Sequence, residues 1–203
     1  MTLFNHQRLI LATHNQGKIK EFQHILGSSF ATITTAGALN LPEPEETGST
    51  FVDNALLKAR ATAARVKGDW ALADDSGLCV TTLKGDPGIY SARWAGPDKD
   101  FAKAMQRIND ALGDAIDRSA YFIAVLVLMS PDGKENVFEG RVEGALTWPP
   151  RGSNGHGYDP IFVPEGETRT FAEMTDAEKN ALSHRGRAVK QLLEWLRSEE
   201  RGF

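Results

Sequence analysis

The run from Ala120 to Met129 is almost continuously apolar, ten residues ending just before the turn Pro131-Asp132-Gly133-Lys134. Successive residues of a strand face opposite sides, so a run of this kind must be covered on both faces. The chain is therefore predicted to place this strand at the centre of a sheet with helices packed on it. Asn136 to Leu146 alternates imperfectly and is predicted to return antiparallel. Arg8 to Ala12 and Ala31 to Thr35 read as two further strands. Ala71-Leu72-Ala73 reads as a buried strand that Ser76-Gly77 breaks, and Leu78-Cys79-Val80 resumes it. The fold class is α/β, with a mixed, strongly twisted central sheet and flanking helices.

Helical spacing supplies the covering layers. Ile19, Phe22, Ile25 and Leu26 predict a helix directly after the loop Thr13-His14-Asn15-Gln16-Gly17-Lys18. Thr50 and Asp53 form a capping box for a second helix, with Phe51, Val52, Ala55, Leu56, Ala59 and Ala63 as its apolar face. Lys58 then belongs by default to solvent, although one turn from Asn54 it can reach back towards a cleft. Pro97-Asp98 is predicted to start a helix carrying Phe101, Met105, Ile108 and Leu112. Thr175 to Glu178 caps a short helix, and Ser183-His184-Arg185-Gly186-Arg187 opens the last one.

At 203 residues the chain reads as a single domain, 1–203, able to bury a sizeable core. Its net charge of −4 excludes a broad electrostatic grip on a nucleic acid polymer, yet leaves room for a small anion held by local cations. Cys79 is the one cysteine, so no internal disulfide forms; it reads as a small apolar strand residue in a cytoplasmic protein. Met1 to Arg8 lacks the apolar core of a signal peptide, and no apolar run is long enough for a membrane helix.

The chemistry gathers at polar breaks between these elements. Asp74 and Asp75 follow the apolar run, next to a flexible Ser76-Gly77; adjacent on an extended chain, they point to opposite faces. Turn chemistry accounts for the same residue types. Open backbone amides at the start of the first helix, beside Lys18, make a phosphate cradle, although the loop is not a Walker A sequence. Glycines bracket His156 and Tyr158, either of which can stack on a flat ring. His184, Arg185 and Arg187 crowd a helix N-terminus, the reverse of what the helix dipole favours, so a bound anion or carbonyl-rich ligand would compensate. Carboxylates for Mg²⁺ (Glu46, Asp75) and cations for phosphates (Lys18, Lys58, Lys179, Arg185) together favour a magnesium-dependent nucleotide site. A sensor that only holds its ligand has no need of two carboxylates beside a triphosphate.

Thr13 to Lys18, Glu46-Thr47-Gly48, Ala73 to Leu78, Pro87 to Arg93, Gly157 to Phe162 and Glu178-Lys179 with Ser183-His184-Arg185 occur in an order that resembles the inosine triphosphate pyrophosphatase family. The resemblance implies hydrolysis of ITP, dITP and XTP to the monophosphate and pyrophosphate with Mg²⁺. It also implies two lobes around a nucleotide cleft and a homodimer, with a small nucleotide as the partner. By the same resemblance, Thr13, His14, Asn15, Gln16, Gly17 and Lys18 would hold the phosphates with Lys58. Glu46 and Asp75 would serve the metal and the attacking water, with Asp75 the general base. Ser76, His156, Gly157, Tyr158, Asp159, Lys179, His184 and Arg185 would line the nucleoside pocket. One departure is His156, where the family often has phenylalanine; imidazole stacks more weakly and titrates near neutral pH.

Overall fold

The structure, a computed structural model, describes Phe4 and residues 6–201. Met1 to Leu3 and Asn5, part of the stretch read above for a signal segment, lie outside the described residues, as do Gly202 and Phe203. The strands are β1 (Arg8–Leu11), β2 (Thr32–Thr35), β3 (Trp70–Val80), β4 (Ser119–Met129), β5 (Glu135–Leu146) and β6 (Phe162–Pro164). The helices are α1 (Gln16–Leu26), α2 (Phe51–Ala63), α3 (Ser91–Trp94), α4 (Phe101–Leu112), α5 (Asp176–Leu182) and α6 (His184–Arg201). One sheet runs β2-β1-β3-β4-β5-β6. β1 is parallel to β2 and to β3, whereas β5 and β6 are antiparallel. The mixed α/β sheet predicted from the apolar runs is thus the one observed, with the Ala120–Met129 run in its interior.

Four local expectations are corrected. Ser76-Gly77 does not break a strand, because β3 continues without interruption through Val80. Its pairing with β1 ends at Leu72, but Leu78, Cys79 and Val80 are buried, and the Leu78 amide donates to Ser91 Oγ at 2.9 Å. Burial and that bond hold the far half extended, so Asp74 and Asp75 lie mid-strand. α4 starts at Phe101 rather than near Pro97, since the Asp100 side chain accepts the Lys103 amide and supplies the cap. In α2 the capping box is present as read, but the buried face is Asn54, Ala55, Lys58, Ala59 and Thr62. Phe51, Val52 and Leu56 are only half-buried. Two alanines give that face its close packing, and the polar side chains between them are drawn inward by partners described below. Fourth, Tyr158 is a core residue and not an open ring.

The chain divides into two compact units that interleave in sequence. The first comprises residues up to Asp75, Val125–Phe138 and the residues from Lys190 onward; the second comprises Ser76–Ala124 and Glu139–Val189. One core cluster of the first is built of small and β-branched residues, Ala12, Ala55, Ala59, Ala73, Val125 and Val127, and larger side chains such as Leu9, Leu11, Phe22 and Leu26 are buried in the same unit. An aromatic group is added by Trp70, packed edge-on to Phe4 and to Trp195. The second unit centres on Phe122, Phe162 and Phe171, with Ile108, Leu112 and Val142 around them. Among the described residues no helix is long and apolar enough to cross a membrane.

Candidate active site

In the first unit, the capping box starts α2 so that Asn54 and Lys58, one turn apart, share its inward face. Lys58 Nζ lies 2.7 Å from Glu46 Oε1 and 3.1 Å from Asp75 Oδ1, joining the acidic loop to β3. An isolated buried ammonium would be very costly, and the two carboxylates offset that cost. They reverse its titration too. Burial pulls the Lys58 ammonium down, but Asp75 and then Glu46 raise it overall. Burial pushes the Asp75 carboxyl up and Glu46 adds to this, against the opposing pull of Lys58. Asp75 is 7% exposed, which places its desolvation first among these causes.

Lys18 is close by in the same unit, with its ammonium on the Asp74 carboxylate. The predicted phosphate loop is correctly placed between β1 and α1, but its amides are not all open. Asn15 Oδ1 accepts from the amides of Gly17 at 2.9 Å and Lys18 at 3.3 Å, and Thr13 Oγ1 accepts from Asn15. An asparagine N-cap satisfies the amides that the sequence reading left for an anion. His14, Asn15, Gln16 and Gly17 remain exposed, so this cap is open to competition from solvent and ligand.

The donor set suits Mg²⁺. Asp75 Oδ2 is buried without a hydrogen-bond partner, although its sister oxygen is bonded to Lys58. Such an oxygen is expensive unless an ion or donor completes it. Among the described residues, no three His, Cys, Asp or Glu side chains gather as an all-protein cage. Mg²⁺ characteristically takes one or two carboxylates and completes its shell with water and phosphate, and Glu46 with Asp75 provides that pair.

In the second unit a separate group assembles. Gly155 has φ +71, and the Asp159 carboxylate occupies the space a Cβ would need there. Asp159 accepts the His156 amide at 2.7 Å and pairs with Lys179 at 2.5 Å, which fixes the glycine-rich loop to α5. His156 is exposed at the loop surface, whereas Tyr158 is buried. The Tyr158 hydroxyl donates to the Ser91 carbonyl at 2.7 Å, and its ring meets Phe101 edge-on at 5.3 Å. Tyr158 therefore anchors the loop, and His156 is the exposed ring of the pair. Arg185 and His184, 4% and 6% exposed, sit at the start of α6. Arg185 donates to Ser76 Oγ at 3.2 Å, and the His184 ring stacks on Phe122 at 4.8 Å and 11°. Ser183 Oγ caps the helix by accepting the Gly186 amide.

The structure thus gathers Lys18, Glu46, Lys58 and Asp75 in one unit, and Ser76, His156 to Asp159, Lys179, His184 and Arg185 in the other. β3 passes from one set to the other between Asp75 and Ser76. Four contributors were given no such role by sequence reasoning, although Asp74 and Ser91 stand within the motifs quoted above. Asp74 holds Lys18; Ser91 bonds both β3 and Tyr158; Phe122 lies under His184; and Gly140 leaves room for the start of α6 on β5. Of the two outside the motifs, only Gly140 carried a signal, a glycine inside a strand.

Residues 9–195 match the model of the Ham1 family. A dITP/XTP pyrophosphatase of Gluconobacter oxydans is 55% identical, over 92% of this chain and 89% of its own length. One from Caulobacter vibrioides is 56% identical over 91% of this chain and 95% of its own. Among solved structures, a HAM1 protein from Coxiella burnetii superposes with a TM-score of 0.86 at 41% identity, covering 95% of this chain and 99% of that one. The Staphylococcus aureus Ham1 protein gives a TM-score of 0.88 at 38% identity, with 95% and 100% covered.

Proposed function

Because the chain belongs to the Ham1 family, we propose that it hydrolyses ITP, dITP and XTP to the nucleoside monophosphate and pyrophosphate, with Mg²⁺, and so clears deaminated purines from the nucleotide pool. The observation that carries this reading is the Glu46–Lys58–Asp75 cluster, in which Lys58 and Asp75 are buried, Glu46 is half-buried, and Asp75 Oδ2 is buried without a hydrogen-bond partner. Lys18 and Lys58 hold the triphosphate, the exposed Thr13–Lys18 loop following its phosphates. Glu46 and Asp75 would hold Mg²⁺, which would neutralise phosphate charge and ease proton loss from water. Asp75, with its proton affinity raised by burial, takes the proton of the attacking water. Water oxygen joins the α-phosphorus, the bond to the bridging oxygen breaks, and pyrophosphate leaves intact.

Base recognition falls to the second unit. His156 offers a stacking face, and Arg185 and His184 offer donors to the oxygen at purine C6. ATP carries an amino donor there, so donor would meet donor, at a cost of about 1–3 kcal/mol per unpaired group. We further propose a homodimer, as the resemblance implies, acting in the cytoplasm. The deciding experiment is pyrophosphate release from dITP, XTP, ITP and dATP with and without Mg²⁺, run in ¹⁸O-water. Label in the monophosphate and at least tenfold preference for the deaminated purines are expected. Orthophosphate as first product, or dATP turned over equally well, overturns the reading.

A further inference from the structure

α2 carries a second buried polar side chain that none of the roles above uses. Asn54 is 1% exposed, on the same inward face as Lys58 and one turn before it. Its Oδ1 accepts the Gly48 amide at 2.8 Å. Its Nδ2 is buried with no hydrogen-bond partner. A buried amide group is normally satisfied at both ends, so the empty donor is the unusual feature. Gly48 is itself held tightly. A Cβ there would approach Asp53 Cβ, Asn54 Oδ1 and the Asn54 amide at 2.6 to 2.9 Å. Backbone therefore lies directly against the first turn of α2, and Glu46, two residues before Gly48, inherits its position from that contact.

We propose that Asn54 is a positioning residue with a substrate contact: its carbonyl oxygen fixes the Glu46-Thr47-Gly48 segment, and its buried amide donates to an oxygen of the bound triphosphate. The inference rests on the reading of this site as a triphosphate site and adds a residue to it. The vacant group is a donor, so an acceptor oxygen is the ligand atom that fits, and the triphosphate of the proposed substrate, beside Lys58 one turn away on the same face of α2, supplies such oxygens. Asn54 acts on Glu46 through the loop. It joins the ligand only when phosphate arrives, which explains a donor left empty in the free protein.

Asn54→Ala and Asn54→Asp separate the two roles, since aspartate keeps the acceptor for Gly48 and loses the donor. Mn²⁺ affinity without nucleotide reports the placement of Glu46. Binding of an ITP analogue with a non-hydrolysable α,β bridge, measured at low salt and at 0.5 M salt where charge repulsion is screened, reports the donor. Asn54→Ala should weaken Mn²⁺ and the analogue each about tenfold. Asn54→Asp should restore Mn²⁺ binding while the analogue stays about tenfold weak at both salts. Wild-type-like binding by Asn54→Ala overturns the proposal, as does parallel loss of melting temperature, Mn²⁺ and analogue binding in both variants. If the parent releases no pyrophosphate from dITP, the functional reading fails on its own, and the nucleotide-free Mn²⁺ data still judge the hold on Glu46.

Discussion

Asp75 is a single side chain under several constraints: burial, a lysine on one oxygen and nothing on the other. Replacement by asparagine keeps its shape and removes the charge and the base. Asp75→Asn should retain binding of the non-hydrolysable analogue while kcat falls about 10²–10⁴-fold; near-normal kcat in the folded variant would remove Asp75 from the reaction. Arg185 tests the proposed base recognition. Arg185→Ala should lower kcat/KM for ITP by more than for ATP, and equal losses would reduce the residue to general charge. The sequence reading reached both residues because motif order located them, whereas their environments were hidden. For Lys58 the reading offered solvent by default and a reach towards a cleft as the alternative; the structure takes the second, because Glu46 and Asp75 draw the ammonium inward. The amides at the start of α1 were read as open for a related reason: Asn15, in the same loop, accepts from two of them as the helix cap.

Among the elements, α5 has an electrostatic dependence that can be read directly. The backbone amide and hydroxyl of Thr175, then Arg169, hold the Glu178 carboxyl down to about 2. Its folded value lies below the unfolded one, so its stabilisation is complete above about pH 4.5 and fades as pH falls towards 2. Glu178→Gln should therefore melt lower than the parent at pH 6, and the two melting curves should converge near pH 2. Thr175→Ala, which removes the cap, should cost about 1 kcal/mol, read from denaturant midpoints at unchanged slope. Capping boxes in α2 and α5 were legible because their spacing is local. The start of α4 was misplaced by proline, and the continuity of β3 was invisible because Ser91, which anchors its far half, lies in a distant segment.

At the scale of the whole molecule, sheet composition and helix layers followed from the apolar runs, but the division into two units did not. Neither unit is a continuous stretch of chain, and β3, β4 and β5 each contribute to both. Tryptophans are shared between them, Trp70 and Trp195 in the first and Trp94 and Trp148 in the second. Variants that keep one pair and carry phenylalanine at the other should give coincident unfolding transitions in guanidinium, as a single cooperative system requires. Two separated midpoints would show that the units melt independently. Phe162→Ala, in the middle of the second aromatic core, should lower stability by about 3–5 kcal/mol in both reporters together.

Trp70 is packed against Trp195, so its side chain waits for a helix that the ribosome makes much later. Translation of the roughly 125 residues between them takes on the order of 6–25 s. Throughout that interval the first unit lacks its last segment, and β4, its most apolar strand, emerges before the chain that completes the core around it. Folding of this half is consequently deferred until α6 has been made. A nascent chain halted before Trp195 should expose Trp70 to solvent quenchers and recruit a holding chaperone, and extension through α6 should end both.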